Sequence, residues 1–205
     1  MNIQPILELS ASTHSHLCPR QILGVRIGLA GMKALGFYES PMKKRLLVIT
    51  ETDGCFVDGV IAATGCTVGH RTLRVEDYGK VAATFTDTVT GRTVRVSPAL
   101  DVREKAHSYA QDEPRHYFAQ MRAYQIIPDD ELLTFTNVKL NVPVMTIISR
   151  PGVRVNCDLC GEEIMNEREI HKMGKIFCRA CAGEKYYQTL PSHVHMLQSD
   201  LIEAV

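Results

Sequence analysis

Net charge is the first thing this sequence lacks. Its 23 basic side chains are matched by 23 acidic ones, so the formal charge is zero. A protein that grips nucleic acid through its phosphates carries a positive excess, so nucleic acid is not an expected partner. Long apolar runs are also missing. No segment approaches the roughly 20 consecutive apolar residues that cross a bilayer, so no membrane is expected. The N-terminus shows no basic region followed by an apolar stretch, so no secretory signal is expected and the expected location is the cytoplasm. Internal repeats and low-complexity segments are absent. What remains is ordinary globular composition, 45% hydrophobic and 22% charged, over 205 residues. That length holds one good core plus a small appendage.

Cysteine is present in an odd number, seven, and is unevenly spread. Such a set fits metal chemistry in a reducing compartment better than a disulfide framework. Four of the cysteines form Cys157-Asp-Leu-Cys160 and Cys178-Arg-Ala-Cys181, separated by a 17-residue spacer. Each pair makes a turn that points two sulfurs at one ion, and four thiolates close a tetrahedral structural zinc site. The segment is too short and polar to fold on apolar burial, so metal binding supplies its folding free energy. His171, mid-spacer, reads as a surface residue. Arg168, Lys172, Lys175 and Arg179 are offset by Glu162, Glu163, Glu167, Glu169 and Glu184, which favours a docking module over a nucleic-acid reader. The composition changes near Ser149-Arg150-Pro151-Gly152, so the domains are expected at 1–150 and 151–205.

The remaining cysteines are Cys18, Cys55 and Cys66. The densest chemistry is His14-Ser15-His16-Leu17-Cys18-Pro19, followed by an apolar, helix-period run from Gln21 to about Leu35. Proline suits the first helical position, which makes Cys18 the expected N-cap. A helix N-terminus favours a thiolate there, and thiolate with neutral imidazole is a zinc-type ligand set. Gly24, Gly28 and Gly31 lie inside this run and imply close packing of a central buried helix, with Gly36 as its C-cap. Arg45–Thr50 reads as a buried strand leading through Glu51-Thr52-Asp53-Gly54-Cys55 into a helix over Phe56–Thr64. Cys55 therefore repeats the setting of Cys18. Asp53 and Asp58 are caps or ligand-orienting groups, and Cys66 reads as a buried small hydrophobe as readily as a ligand.

Further along, strands are expected over Lys80–Asp87 and Thr93–Val96 with a turn at Thr90-Gly91-Arg92. Helices are expected over Pro98–Gln111 and Pro114–Tyr124, and a helical turn at Pro128–Glu131. Strand-like runs at Leu133–Leu140 and Val142–Ile148 follow. The mixture is an α+β or α/β layer fold. His193 and His195 read as an exposed helix end.

Taken together, His-x-His-x-Cys-Pro, Glu51-Thr-Asp-Gly-Cys55-Phe-Val-Asp58, Thr64-Gly65-Cys66-Thr67-Val-Gly69 and Asp77-Tyr-Gly79-Lys80-Val-Ala resemble the FmdE family of formylmethanofuran dehydrogenase proteins. The resemblance covers about residues 10–150, and the chain matches the longer form with a C-terminal zinc module. It implies an α+β core with a mixed sheet flanked by helices, somewhat thioredoxin-like, that pairs as a homodimer. It also implies a core site for zinc or another divalent metal at His16, Cys18 and Cys55, with His14 as a further ligand. The implied partner is formylmethanofuran dehydrogenase, a molybdenum or tungsten enzyme of methanogenesis. The family usually has glycine after Cys-Pro, where this chain has Arg20, whose guanidinium favours thiolate or binds an anionic group. The expected role is a metal-binding accessory subunit. The alternatives are a stand-alone enzyme using the open metal or the Cys18 thiolate on a small molecule, and a ligand-sensing regulator whose zinc module binds nucleic acid or protein.

Overall fold

The computed structural model describes residues 3–12, 16–41, 44–148 and 152–190. It divides into two compact units, Met1–Ile148 and Ser149–Val205. Of the sequence candidates, His14, His193 and His195 lie outside the described residues.

The larger unit runs α1 (Gln4–Ala11), α2 (Pro19–Ala34), β1 (Leu46–Thr50), α3 (Cys55–Thr64), β2 (Leu73–Val75), β3 (Ala83–Asp87), β4 (Thr93–Pro98), α4 (Val102–Tyr109), α5 (His116–Ile126), α6 (Asp129–Leu132), β5 (Leu133–Asn137) and α7 (Val144–Ile148). One sheet of order β2-β1-β3-β4-β5 crosses it. The β1–β2 pair is parallel, and the other pairs are antiparallel. Helices α1, α2, α3 and α5 pack together beside it, with α2 also packed on β3 and β4. This is an α+β fold with a mixed sheet flanked by helices.

Helix α2 organises the unit. Cys18, its N-cap, is extended (φ −132°, ψ 161°), and Pro19 opens the first turn. The buried Gln21 side chain accepts the Cys18 N–H at Oε1, 2.9 Å. Its Nε2 donates to the Ser10 carbonyl at 3.0 Å, which ties α1 to the same turn. Gly36, with φ +85°, ends the helix in a conformation that suits glycine. Between these ends the helix is buried on nearly every face. Its glycines explain how. A Cβ on Gly24 would overlap the Phe56 carbonyl oxygen, and one on Gly59 would overlap that of Gln21. Helices α2 and α3 therefore cross backbone against backbone. Gly31 makes room in the same way for the Phe85 ring.

Arg26, 8% exposed on α2, donates to the carbonyls of Tyr124 (2.7 Å) and Ile127 (2.6 Å) and to Asp129 Oδ1 (2.8 Å). Those carbonyls belong to the end of α5, where helical acceptors run out of partners. One guanidinium thus satisfies them and fixes α5 against α2. The His107 and His116 rings join α4 to α5, Nε2 to Nδ1 at 2.5 Å.

Two local expectations are corrected. Residues 144–148 form helix α7 rather than a strand, since Pro143 suits a first helical turn and none of α7 is buried against a sheet face. Pro98 ends β4 opposite Leu133 instead of opening a helix, so α4 starts only at Val102. Strand β2 is only Leu73–Val75, too short to show a period.

Among its described residues, the smaller unit holds two hairpins. Strand β6 (Arg154–Asn156) pairs with β7 (Glu163–Met165), and β8 (Ile170–Lys172) pairs with β9 (Lys175–Phe177). Among its described residues the buried hydrophobics are Cys157 and Ile164, so apolar burial does little of the stabilising there.

Candidate metal centres and the core cavity

One Cys-x-x-Cys turn lies in the loop between β6 and β7, and the other directly follows β9. The Sγ atoms of Cys157, Cys160, Cys178 and Cys181 all lie within 4.8 Å of one another. The Cys178 N–H donates to Cys157 Sγ and the Cys181 N–H to Cys178 Sγ, each at 3.3 Å. The N–H groups of Cys160 and Cys178, aimed at the Cys157 sulfur, lower that thiol to about 6. The Cys181 thiol moves the opposite way, to about 12, because of its hydrogen bond with Cys178 and its burial. Without a cation, the cluster cannot carry four adjacent negative charges. A divalent soft ion removes that conflict, and four sulfurs at this spacing fit tetrahedral zinc.

In the larger unit, Cys18 at the start of α2 and Cys55 at the start of α3 come from positions 37 residues apart and meet. Burial pushes the Cys55 thiol up, and the neighbouring Cys18 thiol pushes it further. The α2–α3 crossing produces the meeting, because both helices begin at the same end of their shared glycine contact. The N-cap of α3 is Gly54 (φ +71°) and makes no side-chain cap, so Asp53 does not serve as the cap. Asp58, in the first turn of α3, acts electrostatically on Cys55.

Both thiols open onto a cavity of about 510 Å³, lined also by His16, Arg20, Arg103, Tyr117, Gln120 and Tyr124. The Tyr117 phenol is pushed up by burial and then by Cys18 and Cys55. Among the described residues, His16, Cys18 and Cys55 do not converge within 4.8 Å as the four C-terminal cysteines do. Instead two sulfurs form a pair on the cavity wall and one imidazole lines the same cavity. Two soft donors beside accessible space fit a zinc-type ion that keeps a coordination position open.

Cys66 lies elsewhere. It is 4% exposed, is part of the hydrophobic core, and its Sγ–H points to the Leu46 carbonyl at 3.6 Å. Burial pushes its thiol up. That is the environment of an inert core cysteine.

Sequence reasoning missed Arg103, Tyr117, Gln120 and Tyr124. They sit on α4 and α5, far along the chain from either cysteine. A signal was available: Tyr117, Gln120 and Tyr124 lie three and four residues apart, so they share one helical face.

Comparison with known proteins agrees with this architecture. Residues 13–134 match the family described as "FmdE, Molybdenum formylmethanofuran dehydrogenase operon". The chain belongs to the FmdE family. Residues 151–187 of this FmdE-family protein match the prokaryotic dksA/traR C4-type zinc finger, which makes the smaller unit a zinc module. A "Probable S-adenosyl-L-methionine-binding protein" of Archaeoglobus fulgidus is 30% identical over 216 residues, covering 94% of this chain. The chain spans only 56% of that relative's length. A crystal structure of a tungsten formylmethanofuran dehydrogenase FmdE-like protein from Syntrophus aciditrophicus has the same fold, with a TM-score of 0.59 and 23% identity over 92% of this chain and 96% of that one. Among the described residues, no helix is long and apolar enough to cross a membrane.

Proposed function

We propose that this FmdE-family protein is a metal-binding accessory subunit of a molybdenum- or tungsten-dependent formylmethanofuran dehydrogenase system. Its core would hold zinc or another divalent transition ion on Cys18 and Cys55, with His16 and His14 as the imidazole donors. The carrying observation is the Cys18–Cys55 pair: two thiols at the starts of separate helices that act on one another and line one open cavity. Such an ion supplies Lewis-acid polarisation of a bound group. The protein orients that group with Tyr117 and the arginines and limits water with Leu23 and Val81. The zinc module is the docking element of this reading, and the chain pairs as a homodimer. The edge strand β5 supports pairing, since Thr134–Asn137 are all exposed.

Metal analysis tests the core site. Wild-type chain is expected to hold two ions and Cys18→Ser with Cys55→Ser one, with the zinc module unchanged. One ion in both proteins defeats the core assignment. Titration with purified formylmethanofuran dehydrogenase subunits tests the partner, and light scattering tests the dimer. The cavity also favours a second reading, a stand-alone enzyme acting on a small molecule. It requires turnover by the isolated, metal-loaded chain.

A further inference from the structure

Among the side chains lining the core cavity there is no carboxylate, but there are two guanidiniums, those of Arg20 and Arg103. Other arginines of this unit are engaged. Arg26, Arg45, Arg95, Arg115 and Arg122 form ion pairs. Arg20 and Arg103 make no ion pair or hydrogen bond with any described residue. Both are side chains of the same cavity, approaching it from α2 and α4.

Tyr124 provides a second, independent observation. It is 1% exposed and lines the cavity, yet its hydroxyl has no hydrogen-bond partner among the described residues. A phenol hydroxyl in a cavity wall is both donor and acceptor, so it offers a contact to a ligand atom or water there. The phenol is pushed up by burial, and Arg103 acts against that shift, so the guanidinium and the hydroxyl act on the same region. Arg20 adds the positive end of a 16-residue helix whose first turn faces this side.

We infer that the core cavity binds a small organic anion, its carboxylate or phosphate held by Arg20 and Arg103 and by the Tyr124 hydroxyl, beside the Cys18–Cys55 pair. This builds on the proposed core site, since the anion would sit next to the metal-holding sulfurs. Its charge recognition is nonetheless separate from the metal. The cavity volume suits a ligand of small-molecule size. Guanidiniums suit planar and tetrahedral oxyanions through paired N–H donors.

The test is calorimetric titration of the full, metal-analysed chain with succinate and, separately, with glycerol phosphate. Either probe is expected to bind saturably, more weakly as salt rises. The probe that binds more tightly identifies the headgroup class. Arg103→Gln and Arg20→Gln change exposed side chains, so both variants should fold, and each is expected to weaken binding about tenfold, the loss of one charge-assisted contact. Tyr124→Phe is expected to weaken it by a smaller factor. No saturable binding of either probe, or equal binding by wild type and both arginine variants, overturns the inference. Cys18→Ser separates the two claims. If it loses the core ion but retains succinate or glycerol phosphate, the anion site stands without the metal. If both arginine variants keep the ion and wild-type affinity for the probe, only the metal reading stands.

Discussion

A Cβ built on Gly59 would lie 2.9 Å from Gly24 Cα, and one built on Gly24 would lie 3.0 Å from Gly59 Cα. The two glycines are the contact point of α2 and α3. Cys18 and Cys55 begin the same helices, so the glycine crossing sets the separation of the sulfurs. Replacing Gly24 or Gly59 by alanine forces the helices apart, because the clashing atoms are backbone. Each substitution is expected to cost about 1–3 kcal/mol or more in urea unfolding. Each should also loosen metal at the cysteine pair. Wild-type stability in Gly59→Ala would show that the helices part without consequence.

Arg26 positions the opposite wall of the cavity. Its guanidinium satisfies the Tyr124 and Ile127 carbonyls at the end of the helix that carries Tyr117 and Tyr124. Arg26→Met leaves those buried acceptors without partners and is expected to destabilise the protein by about 2–4 kcal/mol. Arg26→Lys should recover only part of this, because an ammonium cannot span three acceptors with one planar fork. Chemical denaturation of both variants gives the comparison. Equal stability of the lysine variant and wild type would remove the bidentate argument.

Asp87 makes stability depend on acid. The Arg45 guanidinium lowers its carboxyl to about 2 from an ordinary 3.8, with the Val89 N–H and the Thr90 hydroxyl helping. Because the folded value is the lower one, the carboxylate stabilises the fold fully above the unfolded value. That contribution fades as pH falls from about 5 towards 2. The size is about 2 kcal/mol. Asp87→Asn is expected to unfold more readily at pH 7 and to show a flatter acid limb. An unchanged acid limb in the variant would assign the acid sensitivity to other groups.

The zinc module should depend on its ion for structure. Only Cys157 and Ile164 are buried hydrophobics among its described residues. Chelation of the full chain, or Cys178→Ser, is expected to remove one zinc and abolish amide protection across 154–177. The larger unit should keep its protection. Protection of the β8–β9 hairpin after complete zinc removal would show that the hairpins fold by themselves.

Much of this was legible in the sequence where one residue decides one local event. Pro19 marked Cys18 as an N-cap, and Thr90-Gly91 marked the β3–β4 turn. The glycines of α2 announced close packing, although only the coordinates show that Gly59 is the partner of Gly24. The cavity was not legible, because its wall joins α2, α3, α4 and α5, and periodicity gives a helix's face without giving what that face meets. The run at 142–148 misled because its β-branched residues read as a strand. A neighbouring strand or sheet face would be needed to make it one, and the chain uses Pro143 to start a helical turn instead.

The central claim is that the Cys18–Cys55 pair holds an ion. Crystals of the full chain, measured on both sides of the zinc absorption edge, test it most directly. Two anomalous peaks per chain are expected: one inside the four-cysteine cluster, and one about 2.3 Å from both Cys18 Sγ and Cys55 Sγ. A single peak, confined to the four-cysteine cluster in zinc-replete crystals, would contradict it.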